Sequence, residues 1–177
     1  PVIMIDSALG ALFKDSINNG NMVAYIGTQY GYFNDDLGFQ NNHVMRAKQF
    51  ANPSPISQNA SQFEVELGAW VYNFGVNDQT GVTLTANINL AGSSIYTNGS
   101  TPVSILSNDS AYISLPTFTQ SSYTNGYYTL NYDLTASVTD EFPADNTVST
   151  NFVVNDTMYS YGGLDSDHDT DADYDTE

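Results

Sequence analysis

From Val82 to Leu90 the chain alternates without a break: Val82, Leu84, Ala86, Ile88 and Leu90 against Thr83, Thr85, Asn87 and Asn89. Successive strand side chains point to opposite faces, so this pattern buries one face and leaves the other to water. On a helix the same apolar residues would be scattered around the circumference. Four more segments carry the same signature. Phe63, Val65, Leu67 and Ala69 alternate with Glu64, Glu66 and Gly68, and run on into Trp70-Val71-Tyr72. Ala111 to Leu115 forms a strand that Pro116 is expected to stop, and Asn125-Gly126 is a hairpin-grade turn ahead of Tyr127 to Leu134. Thr147 to Val154 supplies the last strand, while Ile95-Tyr96 and Val103/Ile105 make short ones separated by an Asn98-Gly99 turn. Six or seven short strands without a long helix predict an all-β fold, an antiparallel β-sandwich.

Residues 1–60 lack clean alternation. Ser7 suits the N-cap of a short helix through Phe13, with Asn18-Asn19-Gly20 as its stop; Gly10 counts against the helix and a strand is the close competitor, while Met22 to Ile26 suits a strand. Gly31, Asn34-Asp35-Asp36 and Asn41-Asn42 have loop character, and Asn52-Pro53-Ser54-Pro55 suits a linker. The expected organisation is an irregular N-terminal extension or arm over 1–60, a sandwich over 61–160 and an acidic C-terminal tail over 161–177. Within the tail an Asp or Glu stands at every second position from Asp165 to Glu177.

Charge removes several functions. Twenty acidic residues against three basic ones leave −17. Nucleic-acid binding needs a cationic footprint that this chain lacks, and an anionic membrane surface would repel it. No apolar run is long enough for membrane insertion. The opening Pro1 to Ile5 lacks a basic segment and meets Asp6 at once, unlike a signal peptide. Without cysteine there is no disulfide, thiolate nucleophile or sulfur-ligated zinc.

Taken in order, Asn73-Phe74-Gly75, the alternating strand from Gly81, Gly126-Tyr127-Tyr128-Thr129-Leu130 and Asp140-Glu141-Phe142-Pro143-Ala144-Asp145-Asn146-Thr147 form a larger pattern. It resembles the cell-adhesion-related (CARDB-like) Ig-type modules of bacterial surface proteins. The nearest likeness is to those of Bacteroidetes proteins exported by type IX secretion. The resemblance spans roughly residues 61–157 and implies an Ig-like sandwich at an extracellular or cell-surface location. It also implies that the Asn-Phe-Gly and Asp-Asn corners are structural turns, where Asn and Gly suit positive φ and Asx-turns.

Catalysis has little to work with. The histidines are His43, in a loop, and His168, in the tail, and no Gly-x-Ser-x-Gly elbow is present. Paired carboxylates for glycoside hydrolysis would have to come from turn residues such as Asp78, Asp133, Asp140, Glu141 and Asp145. The candidate ligand is Ca²⁺, which takes oxygen donors from flexible loops. Asp140 and Glu141 with Asp145 form one candidate site, with the Asn77-Asp78 loop beside it. Asp165, Asp167 and Asp169 form another, although the Gly and Glu of an EF-hand loop are missing there. Ser7, Ser16, Ser110 and Thr157 follow an Asp and precede an apolar residue, resembling O-glycan acceptors of Bacteroidetes. Asn59, Asn98, Asn108 and Asn155 head Asn-x-Ser/Thr sequons. Tyr30, Tyr32 and Phe33 lie outside the strand alternation and are expected at the surface.

The expected function is a non-catalytic module for adhesion or spacing, with other protein subunits, cell-surface or matrix components, or glycans as partners. Two alternatives are a self-assembling subunit of a filament or virion surface, using residues 1–60 as an arm, and a glycan-binding module of a secreted hydrolase.

Overall fold

A computed structural model of the chain describes residues 7–18, 27–40 and 43–161. In chain order the elements are a helix, α1 (Ser7–Asn18), and the strands β1 (Leu37–Gly38), β2 (Gln49–Pro53), β3 (Val65–Asn73) and β4 (Gln79–Leu90). There follow β5 (Ser93–Gly99), β6 (Val103–Ile105), β7 (Ser110–Phe118), β8 (Gly126–Thr135), β9 (Thr147–Asn155) and β10 (Ser160–Tyr161). The expected helix is present and ends at Asn18. The expected strand at 22–26 and the Asn41-Asn42 loop fall outside the described residues.

β4, the alternating segment, is the longest strand and lies inside the larger sheet, whose order is β10-β2-β9-β8-β4-β5 with β6 also on β4. β3 forms the other sheet between β1 and β7. The long strands pair as in immunoglobulin domains, β3 with β7 on one side and β4-β8-β9 on the other. The fold is an all-β sandwich. It is not purely antiparallel, because β2 runs parallel to β9, with Ala51 opposite Val153.

Three local expectations need correction. Pro116 does not end its strand: β7 runs on to Phe118, and because β7 is an edge the missing N–H costs no ladder bond. Asn98-Gly99 lies inside β5, opposite Ala86 and Thr85. The hairpin turn of this region is Ala91-Gly92, with φ of 50° and 81°, a conformation that alanine rarely signals. Asn125-Gly126 makes no hairpin either, since residues 119–125 carry the chain from the smaller sheet to the larger one.

Residues ahead of position 60 also contribute to the sandwich. Leu37, Phe39, Val44 and Ala51 are buried in the sandwich core, β1 pairs with β3, and β2 pairs with β9. Asn52-Pro53 closes β2, with Asn52 only 2% exposed, so this stretch is no linker. Residues 37–57 complete the chain's own sheets, which removes them from any arm offered to a neighbour. Their hydrophobics reach the core from short segments, too short to show alternation.

Tyrosines tie the two sheets together. Tyr132 of β8 is fully buried; its hydroxyl donates to Met45 O at 3.0 Å and accepts Gly68 N–H at 3.2 Å. Tyr123 donates to Phe63 O at 2.9 Å, and Tyr128 stacks on Phe152 at 4.7 Å. Buried tyrosine hydroxyls with partners avoid the cost of a desolvated polar group.

Candidate functional site

Asp78, Asp140, Glu141 and Asp145 gather at one end of the sandwich, where the segments 27–36, 73–79 and 137–146 meet. Asn73 organises the middle segment. It is fully buried, its amide donates to Asn77 O and Ile105 O, and its Oδ1 accepts Gly75 N–H at 3.0 Å, an Asx-turn. Gly75 does not need positive φ, contrary to the expectation. It is required for close approach, because a Cβ there would lie 2.6 Å from Asn34 O and 2.8 Å from Asp36 N. The Asp145-Asn146 corner has no positive φ either; Asn146 is right-handed at φ −79° behind a 3₁₀ turn over Pro143–Asp145.

Asp140, Glu141 and Asp78 hold backbone N–H groups, and Asp35 holds side-chain amides. Asp140 Oδ2 accepts Leu37 N–H at 2.7 Å and its Oδ1 accepts Phe142 N–H at 2.7 Å. Glu141 Oε2 accepts the N–H groups of Asn34 at 2.6 Å and Asp35 at 3.2 Å. Asp35 takes the amides of Gln79 at 2.8 Å and Asn77 at 3.3 Å, and Asp78 caps Ser107 N–H at 2.9 Å. Phe33 stacks on Phe142 at 5.7 Å, closing the apolar side of the same contact.

Gln29 bridges the two innermost acids, donating to Asp145 Oδ2 at 2.6 Å and Asp36 Oδ2 at 3.3 Å. Asp36 is 1% exposed. Desolvation pushes its carboxyl from 3.8 up to about 6; the Gln29 amide opposes this, and the charges of Asp145, Asp140 and Glu141 add to it. Asp145 is raised as well, first by burial and with Asp140 contributing, and its Oδ1 is buried without a partner among the described residues.

Of the three carboxylates expected at a calcium site here, Asp140 and Glu141 hold backbone N–H groups, while Asp145 takes the Gln29 side-chain amide. Among the described residues no group of three or more His, Asp or Glu side chains is arranged to hold a metal ion. The corner fastens loops: it holds segment 27–36 onto the sandwich with charge-assisted hydrogen bonds. Gln29, Asp35 and Asp36 were absent from the expected set. Asp35-Asp36 had only a loop signal, and Gln29 had none, because its partner Asp145 lies 116 residues away.

Asp165, Asp167, Asp169 and His168 lie outside the described residues. His43 contacts the Tyr72 hydroxyl and ring. Of the glycan acceptors, Ser7 opens α1, Ser16 is half-buried within it, and Ser110 opens β7. Thr157 is exposed in the turn after β9, where its N–H is held by Asn155 Oδ1 at 2.9 Å. Asn59 and Asn108 are exposed, whereas Asn98 and Asn155 are half-buried. Tyr30 and Tyr32 are exposed, and Tyr30 packs edge-on against Phe74 at 4.9 Å. Phe33 is half-buried by Phe142.

No helix among the described residues is long and apolar enough to cross a membrane. No family model matches the chain, and no curated protein matches it. Among solved structures it is similar to the crystal structure of a CARDB domain from Pyrococcus furiosus in complex with di-metal ions. That likeness has 16% identity and a TM-score of 0.48, covering 75% of this chain and 99% of the other. A solution NMR structure of the same archaeal domain is similar at 15% identity and a TM-score of 0.46, covering 70% and 97%.

Proposed function

We propose that this chain is a non-catalytic β-sandwich module for adhesion or structural spacing at an extracellular or cell-surface location. The observation that carries the reading is the fate of its reactive side chains. Asp140 and Glu141 accept backbone N–H groups and Asp145 the Gln29 amide of their own chain, which supports a role in holding loops. His43 contacts the Tyr72 hydroxyl. The likeness of the 61–157 motifs to modules of Bacteroidetes proteins exported by type IX secretion supports the surface location. Asp-Ser/Thr-apolar acceptors, with Thr157 exposed, support it further.

The test is retention under flow. Beads carrying the chain are expected to stay on bacterial cells or matrix polymers at shear that removes albumin-coated beads; equal loss of both would overturn adhesion. One feature favours a self-assembling subunit as a second reading. The edge strand β5, Ser-Ser-Ile-Tyr-Thr-Asn-Gly, carries neither charge nor proline, and such edges accept further strands. A concentration-independent monomer mass by light scattering would reject this second reading.

A further inference from the structure

The outer face of the larger sheet is the part of the molecule that the corner and the core leave unexplained. Ala86 and Ile88 of β4, Leu130 and Tyr132 of β8, and Phe152 of β9 point into the core. Alternation therefore puts their neighbours on the opposite face. The strand registers arrange those neighbours in rows. Asn87 stands opposite Asn131, which stands opposite Ser149. One row over, Thr85 faces Asp133, which faces Thr147; on the other side Asn89 faces Thr129, which faces Asn151.

Three properties make this face a recognition surface. First, it consists of amides and hydroxyls with a single charge, Asp133, in a chain of net −17. An exposed sheet face is ordinarily kept soluble by mixed Lys and Glu. Second, the array is part fixed and part open. Asn87 Nδ2 donates to Ser94 Oγ at 2.8 Å and Thr97 Oγ1 at 2.6 Å, which locks its rotamer. The side chains of Asn131, Asp133, Thr147 and Ser149, which line a shallow depression beside Asn87, make no hydrogen bond with the described residues. Third, Tyr127 lies on the same face of β8 and is 54% exposed. At four residues from Asn131 it stands roughly 14 Å along the strand, about the span of a few sugar rings.

We propose that this face, centred on Asn87, Asn131 and Ser149, binds a neutral glycan. The amides and hydroxyls match sugar hydroxyls as both donors and acceptors. The Tyr127 ring offers an apolar plane for a sugar's C–H face. Charge selects the class: an acidic polymer or a second −17 copy is repelled, and a basic partner finds only Asp133 on this face. The held Asn87 amide lowers the ordering cost of binding. The inference rests on the adhesion reading and adds a ligand class to it.

Affinity electrophoresis of the full chain through gels containing cellulose derivatives, xylan, mannan or soluble chitin oligomers tests it. At least one of these neutral glycans should retard the chain, and Asn131→Ala should weaken that binding about tenfold, the loss of one or two good hydrogen bonds. Tyr127→Ala should weaken it about fivefold, while Asn108→Ala, in a distant loop, should leave it unchanged. Circular dichroism melts of each variant exclude misfolding, and Thr147→Glu, an exposed substitution, provides a second way to block the depression. Overturning results are mobility unchanged in every neutral glycan, equal retardation of wild type and Asn131→Ala, or retardation by alginate through the same residues. A shift in oligomer mass caused by Asn131→Ala would equally overturn it, by making the face an interface between copies. If the beads hold to cells while no glycan retards the chain, this inference fails and the adhesion reading stands; if the beads hold nowhere, the adhesion reading fails.

Discussion

Replacing Tyr132 by Phe removes one oxygen from the centre of the sandwich and leaves the ring in place. That oxygen serves two partners on the opposite side, donating to Met45 O at 3.0 Å and accepting Gly68 N–H at 3.2 Å. The side chain is fully buried, so water cannot replace the lost oxygen without opening the core. Each bond is worth about 1 kcal/mol net, and the two orphaned backbone groups bring the expected cost to about 2–3 kcal/mol. For a chain of 177 residues, 1 kcal/mol moves the melting temperature by about 2–4 °C, which predicts a fall of roughly 5–10 °C. Thermal melts followed by near-UV circular dichroism would read it, with Tyr127→Phe as the control because Tyr127 is 54% exposed. Burial keeps Tyr132 protonated far above the ordinary value of 10, so the loss should be the same at pH 6 and pH 8. A Tyr132→Phe melt indistinguishable from that of Tyr127→Phe would refute the claim that this hydroxyl links the sheets.

The acidic corner predicts a pH dependence of definite sign. Because Asp36 titrates at about 6 when folded and near 3.8 when exposed, the folded state binds the extra proton between those values, and stability should rise as pH falls from about 6.5 to 4. Asp36→Asn should remove that part of the slope and stabilise the chain at pH 7.5 by up to about 3 kcal/mol in urea melts; a wild-type stability flat from pH 7.5 to 5 would contradict it. Gly75→Ala should lower the melting temperature, since its Cβ meets the backbone of Asn34 and Asp36 and neither can swing away as a side chain would. Asp140→Ala should cost about 1–2 kcal/mol by uncapping Leu37 and Phe142, while adding Ca²⁺ in place of EDTA should leave the size of that loss unchanged. Absorbance titration at 295 nm should show Tyr96, Tyr112, Tyr123, Tyr128 and Tyr132 ionising late, all raised by burial, with Tyr123 near 12. Folding therefore favours their neutral forms, and stability should fall as pH climbs above 10.

Much of the scaffold was legible in local pattern. The alternation over 82–90 became β4 with its apolar residues inward, and Val65 to Tyr72, Tyr127 to Leu134 and Thr147 to Val154 became β3, β8 and β9. The same alternation located the outward rows of the larger sheet, because a strand that buries Ala86 and Ile88 must show Thr85, Asn87 and Asn89 to solvent. The Asn73 turn was legible too, as an Asn two residues before a Gly. At the corner the sequence indicated Asp140, Glu141 and Asp145 by type, but abundance of carboxylates does not say where each one points.

What the sequence by itself determined is therefore the period-2 faces, the all-β class and the exclusion of cationic functions, all of which depend on neighbours along the chain. Only the tertiary structure decided that β2 lies parallel to β9, that Val44 and Phe39 complete the core, and that Gln29 meets Asp145. The β2–β9 pairing and the Gln29–Asp145 contact join segments a hundred or more residues apart, Val44 bridges Ala69 across a shorter gap, and the energy of all three exists only once the sheets have closed. Periodicity records which side of a strand is dry. It carries no record of which distant backbone N–H a carboxylate will accept, and so the hold of Asp140 on Leu37 and of Glu141 on Asn34 is visible only in the folded chain.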